Sequence, residues 1–186
     1  MSKKGYIVTC LFSFLITSCN PNRNITRHYV ETMSMKPTIN PGDYVLVDST
    51  LRTFDYGDIL CYYFEGNKDL EPYMNAYRVV GLPGDSIETR DDIFCIVNQK
   101  ENKTRYIGRG VLHRELEEEL PNGMKILIYY YPTDEEVTVR QPVKVPNDCY
   151  FLMGDSRNIS VDSRIFGPVH KDKILGKVTK VIKGHE

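Results

Sequence analysis

Short apolar runs separated by turn residues recur along most of the chain. The stretches "INPGDYVLVD" and "FDYGDILCYYF" each place Gly-Asp before an apolar run, and "YRVVGLPGDSIE" joins two runs through a Gly-Leu-Pro-Gly turn. Apolar runs bounded by Gly, Pro and Asp are typical of β-strands. Further strands are predicted at "IFCIV", "KILIYYY", "CYFLM" and "ILGKVTKVI". The spacing predicts a mostly β fold with sandwich or barrel packing.

This pattern of short apolar runs and turns changes between residues 98 and 145. Polar "NQKENKTR" is followed by "LHRELEEEL", in which Leu112, Leu116 and Leu120 recur at helical spacing. We therefore predict an inserted α+β lobe at 98–145, with a short amphipathic helix and a hairpin-like return through "KILIYYY". The acidic run 117–119 is interpreted as a solvated face of that helix.

The first 18 residues have the pattern of an export signal. Two lysines precede an apolar stretch from Tyr6 to Ile16, which is shorter than the roughly 20 apolar residues of a membrane-spanning helix. The closing "ITSC" resembles the lipobox of bacterial lipoproteins, which makes Cys19 the predicted lipid attachment site. An uncleaved signal-anchor over the same residues is the alternative. The polar residues 19–31 are predicted to be a tether.

Composition and charge further limit the kind of protein and the partners that we expect. A hydrophobic content of 41% in 186 residues is enough to bury a core. The 24 basic residues nearly balance 25 acidic ones, and no basic stripe is interleaved with aromatic residues, so we expect no nucleic-acid partner.

The remaining cysteines lie in apolar, strand-like runs. Cys61, Cys95 and Cys149 are interpreted as buried thiols, with one disulfide plus an unpaired cysteine as the alternative. No CxxC or Cys/His spacing suggests zinc, and we expect neither a metal nor another cofactor.

Four segments carry the candidate chemistry: "SMKPT" at 34–38, "GDILCYYF" at 57–64, "RVVGLPGD" at 78–85 and "MGDSRNISVDSRIFGPV" at 153–169. Their order and spacing resemble the signature boxes of bacterial type I signal peptidases. The resemblance runs from about Thr32 to Val178, apart from the insertion. It implies a coiled antiparallel β core at 32–97 and 146–186, with 98–145 as a second, smaller lobe.

The resemblance implies a serine endopeptidase with Ser34 as the nucleophile. A serine hydroxyl attacks a peptide carbonyl usefully only when a neighbouring base accepts its proton. The backbone N–H of Ser34 and the hydroxyl of Thr32 are then the expected oxyanion hole, and Ser160 is expected to orient the base. The predicted structural residues are Asp162, which pairs with Arg164, and Arg78, Asp155 and Arg157 in supporting places.

The two methionines that flank the nucleophile have two interpretations. Met33 and Met35 either present an adaptable apolar surface to lipid or extended substrate, or pack in the core.

The chain departs from the resembled pattern at the general base. The third box of the bacterial family begins with Lys-Arg, and that lysine is the base, whereas this chain has Tyr77-Arg78. A phenol is a weak proton acceptor, with an ordinary pKa near 10 that burial raises further. Three alternatives stay open. A lysine reaches Ser34 from elsewhere (Lys36, or the Lys68 or Lys103 regions), Tyr77 acts in an unusual environment, or peptidase activity is lost.

Together these features predict a membrane-associated serine endopeptidase of the signal peptidase I type. By resemblance, it cleaves exported precursors after a small-x-small motif, with its catalytic domain on the periplasmic side of a bacterial membrane. The alternative is a catalytically impaired lipoprotein that binds extended peptides or an assembly partner.

Overall fold

The computed structural model describes residues 24–64, 73–90, 94–131 and 141–184. The predicted signal segment at 1–18, Cys19 and Lys68 lie outside these residues. Among the described residues, no helix has the length and apolar composition needed to cross a bilayer.

Antiparallel strands dominate the described residues, so the mostly β prediction is confirmed. The short helix α1 covers Ser163–Phe166, and a single 3-10 turn covers Lys171–Lys173. The strands are β1 (Ile25–Tyr29), β2 (Tyr44–Asp48), β3 (Ile59–Phe64), β4 (Tyr73–Gly81), β5 (Ser86–Arg90), β6 (Phe94–Val97), β7 (Lys100–Glu101), β8 (Lys103–Arg109), β9 (Arg114–Glu119), β10 (Lys125–Tyr130), β11 (Val143–Lys144), β12 (Cys149–Met153), β13 (Val169–His170) and β14 (Ile174–Ile182).

The largest sheet has seven strands in the order β1-β2-β14-β3-β4-β12-β13. Its inward residues follow the period of two that a pleated strand requires, as in β2, where Val45 and Val47 are buried. They form a core with Met35, Ile39, Leu60 and other apolar residues. Because β14 lies between β2 and β3, the end of the chain helps to close this core.

Two smaller sheets lie beside a second core. One has the order β11-β5-β6-β7 and the other β10-β9-β8. Their apolar residues pack with Phe151 and Met153 of β12, so strand β12 contributes to both cores. The predicted lobe boundary at residue 98 falls inside the four-stranded sheet. Strand β6 ends just before this residue and pairs with β7, which begins just after it.

The helix predicted at "LHRELEEEL" is wrong, because this segment contains strand β9. It pairs with β8 on one side and with β10 on the other, which confirms the predicted return through "KILIYYY". Leu116, Glu118 and Leu120 point inward, whereas Leu112 is exposed. The solvated acidic face is therefore also wrong for Glu118, which is fully buried.

The predicted tether at 19–31 is wrong for its last part. Ile25–Tyr29 is an edge strand of the large sheet and pairs with β2 in full register. The three described cysteines, Cys61, Cys95 and Cys149, are buried free thiols, as predicted.

Candidate active site

Ser34 lies in a tight loop between β1 and β2. The loop is closed by backbone hydrogen bonds from the Lys36 N–H to the Met33 carbonyl, at 3.1 Å, and from the Ile39 N–H to the Met35 carbonyl, at 2.9 Å. Met35 and Ile39 are buried in the core, and Met33 is exposed. Ser34 is therefore held half-buried between one anchored and one solvent-facing methionine.

A second loop, residues 154–160, fixes the backbone around Ser34. The Ser156 N–H donates to the Ser34 carbonyl at 2.9 Å, and the Ser160 hydroxyl lies 3.0 Å from the same oxygen. The Ser156 hydroxyl donates to the Met33 carbonyl at 2.7 Å. Among the described residues, no group hydrogen-bonds the Ser34 hydroxyl, so this arrangement fixes the backbone and leaves the side chain available.

Gly154 is required by the close approach of these two loops. A Cβ atom at this position would lie 2.0 Å from the Ser160 hydroxyl oxygen and 2.5 Å from the Ser34 carbonyl oxygen. Both distances are far below van der Waals contact. Ser156 and Gly154 belong to the site but escaped the sequence reasoning, although both lie inside the "MGDSRNISVDSRIFGPV" box.

Tyr77 lies in the middle of β4, opposite Leu60 of β3. Its side chain is only 3% exposed and packs against Tyr62, with ring centroids 6.0 Å apart. The Tyr77 hydroxyl donates to the Val161 carbonyl at 2.8 Å. Ser160, the residue predicted to orient the base, directly precedes Val161. Its hydroxyl instead hydrogen-bonds the carbonyl oxygens of Ser34 and Ser156.

Two of the lysines considered as substitute bases, Lys36 and Lys103, lie within the described structure and have other surroundings. Lys36 lines a surface depression together with Asp43 and Lys183. Lys103 is strongly exposed and pairs with Glu119 at 3.2 Å. Neither amine has a described contact with Ser34.

A groove of about 410 Å³ adjoins the Ser34 loop through Thr32 and Met35. One wall is β1, the edge strand of the large sheet. The opposite wall is the first half of β4, and among the described strands β12 pairs only with its second half, from Arg78 onward. Thr32 is exposed and lines this groove. The lining residues that the sequence reasoning missed include His28 and Asn75.

These two unpaired strand edges suit an extended peptide. A peptide bound between strand edges satisfies their free N–H and C=O groups and places alternate side chains in the groove. The sequence signal for this groove was weak, because β1 lies in a polar segment that was interpreted as a tether.

Arg78 and Asp155 form a buried pair beside the Ser34 loop. The Arg78 Nε and Nη2 atoms donate to the two Asp155 carboxylate oxygens at 2.8 and 2.6 Å. Arg78 also donates to the Gly57 carbonyl at 2.7 Å, and Thr38 donates to Asp155. Burial favours loss of the Arg78 charge, but the adjacent Asp155 carboxylate outweighs it and raises the Arg78 pKa above its ordinary value. Through Thr38 and Gly57, the Arg78–Asp155 pair therefore connects all four sequence segments, 34–38, 57–64, 78–85 and 153–169.

Asp162 and Arg164 form the ion pair that the sequence predicts. Arg164 Nε and Nη2 each lie 2.8 Å from an Asp162 oxygen, and both side chains are fully buried. Asp162 also caps helix α1 by accepting from the Arg164 N–H, and it accepts from the Gly154 N–H at 2.9 Å. The pair thereby fixes the end of the loop that holds Ser34.

Arg157 connects the same loop to the three-stranded sheet β10-β9-β8. Its guanidinium donates to the carboxylate of Glu118 on β9, and both side chains are fully buried. Burial disfavours the Arg157 charge, but Glu118 outweighs it and holds the Arg157 pKa above its ordinary value. Strand β10 completes the connection, because Tyr129 exchanges backbone hydrogen bonds with Asp155 and Arg157 at 2.8 and 2.9 Å.

A family model and the relatives found by comparison with known proteins all point to the same family. The family model described as signal peptidase, peptidase S26 matches residues 4–182. Signal peptidase I of Bacillus caldolyticus is 36% identical over 156 residues, which cover 82% of this chain and 76% of the relative. Signal peptidase IB of Staphylococcus aureus (strain COL) is 27% identical over 177 residues, 94% of this chain and 86% of the relative.

A solved structure shows a weaker likeness. The crystal structure of a signal peptidase I from Enterococcus faecalis V583 matches with a TM-score of 0.41 and 24% identity. The match covers 69% of this chain and 99% of that chain.

Proposed function

Since this chain belongs to the signal peptidase family, peptidase S26, we propose that it is a membrane-associated serine endopeptidase that removes signal peptides from exported precursors. Ser34 is the nucleophile, and the proposed cleavage follows a small-x-small motif. The observation that carries the proposal is the Ser34 loop, whose backbone is fixed by Ser156 and Ser160 while the Ser34 hydroxyl stays available.

The proposed reaction has two halves. The precursor lies extended between β1 and β4, and the Ser34 oxygen attacks the scissile carbonyl as its proton passes to a base. The Ser34 N–H and the Thr32 hydroxyl stabilise the developing negative charge, and one such donor typically lowers the barrier by about 3 kcal/mol. Loss of the leaving amine gives an acyl-enzyme, which water then hydrolyses with the same base.

Tyr77 occupies the proposed base position. Its hydroxyl donates its proton to the Val161 carbonyl, so Tyr77 would accept the Ser34 proton only in its deprotonated, phenolate form. Arg78, Asp155, Asp162 and Arg164 have proposed structural roles, and Ser160 is proposed to act on the nucleophile side, where its hydroxyl lies 3.0 Å from the Ser34 carbonyl oxygen.

The membrane attachment and its sidedness belong to the same proposal. Lipid on Cys19 after removal of residues 1–18, or retention of these residues as a signal-anchor, would attach the domain on the periplasmic side. The family match begins at residue 4 and so includes the apolar stretch, which favours retention. Mass measurement of the N-terminus distinguishes the two.

A second candidate function is non-catalytic binding of extended peptides in the same groove. The observation that favours it is the use of the buried Tyr77 hydroxyl as a donor, because a phenol accepts protons weakly.

The test is cleavage of a precursor with an Ala-x-Ala site by the full chain. We expect the natural protein to cleave and Ser34→Ala to lose on the order of 10⁴-fold or more in rate. Tyr77→Phe, which keeps the ring, is expected to lose activity as well. Tight binding of the precursor without cleavage, unchanged by Ser34→Ala, would instead establish the binding function.

A further inference from the structure

The strongest unexplained surface is the tip of the β8–β9 hairpin, residues 109–114. Val111 is 93% exposed and Leu112 is 74% exposed, which makes them the most exposed large apolar side chains in the described structure. Tyr106 and Ile107 of β8 are also exposed. Strongly exposed large apolar side chains that lie next to each other, as Val111 and Leu112 do, can mark a contact surface.

Two arginines flank the apolar tip and face each other. Arg109 and Arg114 are directly opposite in the antiparallel register, so their side chains lie on the same face of the sheet. Within the described ranges, neither arginine makes an ion pair. The nearby Glu115 lies 3.3 Å from the His113 imidazole. Like charges directly opposite each other destabilise a hairpin, and an anionic partner would remove that cost.

The tip is a built feature rather than a loose turn. The Gly110 N–H donates to the His113 carbonyl at 3.0 Å and closes the turn. The His113 ring stacks on Tyr129 at 3.9 Å and contacts Tyr131 at 5.3 Å. Gly110 is required here, because a Cβ atom would meet the His113 ring at 2.2 Å.

The tip also lies at the end of the lobe that adjoins the Ser34 loop. Arg114 is opposite Tyr130 of β10, and the neighbouring Tyr129 hydrogen-bonds Asp155 and Arg157. Lys103 and Glu119 are opposite each other at the other end of the same sheet.

We infer that the 109–114 tip inserts into the interface of a bilayer that contains anionic phospholipid. Val111 and Leu112 enter the acyl boundary, while Arg109 and Arg114 bind the phosphate groups above it, as basic and apolar residues do at membrane interfaces. A protruding convex turn fits a deformable lipid surface better than it fits a preformed groove. The inference goes beyond the proposed peptidase activity and does not require it.

The experiment uses the absence of tryptophan from the sequence. The full chain carrying Val111→Trp is reconstituted in phosphatidylcholine vesicles with or without about 30 mol% phosphatidylglycerol, with bromine-labelled acyl chains. The matched control is Lys103→Trp, at the opposite end of β8. We expect a blue-shifted emission and about three-fold stronger quenching for Val111→Trp, only in anionic vesicles.

A double variant tests whether the two arginines are needed for lipid binding. Arg109→Glu together with Arg114→Glu, in the Val111→Trp protein, keeps a like-charge pair in the hairpin but reverses its attraction to lipid. We expect quenching to fall to the Lys103→Trp level. Raising the salt from about 0.05 to 0.5 M should weaken quenching of Val111→Trp without any charge substitution, because salt screens exposed charges.

Three outcomes would overturn the inference. They are quenching of Val111→Trp no stronger than that of Lys103→Trp, equal quenching without phosphatidylglycerol, and a blue shift without quenching. The last would indicate that a protein surface covers the tip.

Discussion

The two sides of the candidate site are held in different ways. On one side, Ser34 lies in a loop whose carbonyls accept hydrogen bonds from Ser156 and Ser160, and its hydroxyl stays available. On the other side, Tyr77 lies within a nine-residue strand, and its hydroxyl already donates to Val161. Under the proposed function, the nucleophile side therefore keeps its reactive hydroxyl available, whereas the base side keeps a weakly basic group occupied. The rate then depends mainly on the base side.

Substitution of Tyr77 by lysine is expected to have the largest effect. A buried lysine has a lowered pKa, so its neutral amine accepts the Ser34 proton. We expect precursor cleavage to increase by about 10²–10⁴-fold, the usual contribution of a general base. The rate should rise with pH through the lysine pKa, because only the deprotonated amine acts as the base. The measurement is kcat/KM for a precursor between about pH 6 and 10.

The matched control is Tyr77→Met, which keeps an apolar side chain of similar length but has no base. If Tyr77→Lys and Tyr77→Met have the same activity, the base side is not limited by residue 77, and the contrast between the two sides is wrong.

Removal of the Glu118 carboxylate tests how the lobe supports the nucleophile side. Glu118→Leu removes the carboxylate that neutralises the buried Arg157 guanidinium, so we expect the free energy of unfolding to fall by about 3–5 kcal/mol. Urea unfolding provides the measurement. The matched control is Glu117→Leu, whose side chain points outward to Arg105 and Lys125, and a much smaller change is expected.

The double variant Glu118→Leu with Arg157→Met is expected to recover much of the loss, because it removes both charges from the interior. Equal effects of Glu118→Leu and Glu117→Leu would contradict a buried pair.

Glu118 also shows why the sequence predicted the core strands but a helix in place of strand β9. In β2 and β12 the inward residues are apolar, so their apolar runs reveal the strands directly. In β9 and the residue after it, the inward positions are Leu116, Glu118 and Leu120, and the glutamate breaks the period-two apolar pattern. What remains visible is the four-residue leucine spacing, which equally suits a helix. The partner that stabilises Glu118 lies 39 residues away, and local periodicity carries no information about it.

The site itself was predictable only in part. The "MGDSRNISVDSRIFGPV" box identified the Asp162–Arg164 pair, because resemblance assigns residues within a known pattern. The role of Ser156 depends on contacts with carbonyl oxygens of the Ser34 loop, and backbone carbonyls are invisible in a sequence. The groove was missed for a related reason, since β1 is formed by polar residues that pair through backbone hydrogen bonds.

Ser160→Ala tests whether the Ser160 hydroxyl stabilises the Ser34 side or the Tyr77 side of the site. Since the Ser160 hydroxyl lies on the Ser34 and Ser156 carbonyls, we expect a loss of about 1–2 kcal/mol in unfolding free energy. A double-mutant cycle with Tyr77→Phe should give a coupling below about 0.5 kcal/mol, because the two hydroxyls bind different carbonyls. Coupling above about 1 kcal/mol would link Ser160 to the base side instead.

Two thiols, one on each side of the site, give the smallest expected effect. Cys61 lies opposite Ala76, one residue from Tyr77 on β4, and burial raises the pKa of its thiol to about 12. The Ser34→Cys variant places a second thiol on the nucleophile side, half-buried and beside the groove. At pH 8, we expect N-ethylmaleimide to label this introduced thiol at least about ten-fold faster than Cys61, because only the thiolate reacts. Labelling of the introduced thiol should rise about ten-fold per pH unit below its ordinary pKa near 8.5, whereas Cys61 stays protected. Peptide mapping by mass spectrometry measures both sites in one sample, and equal rates would show that the base-side strand opens as readily as the Ser34 loop.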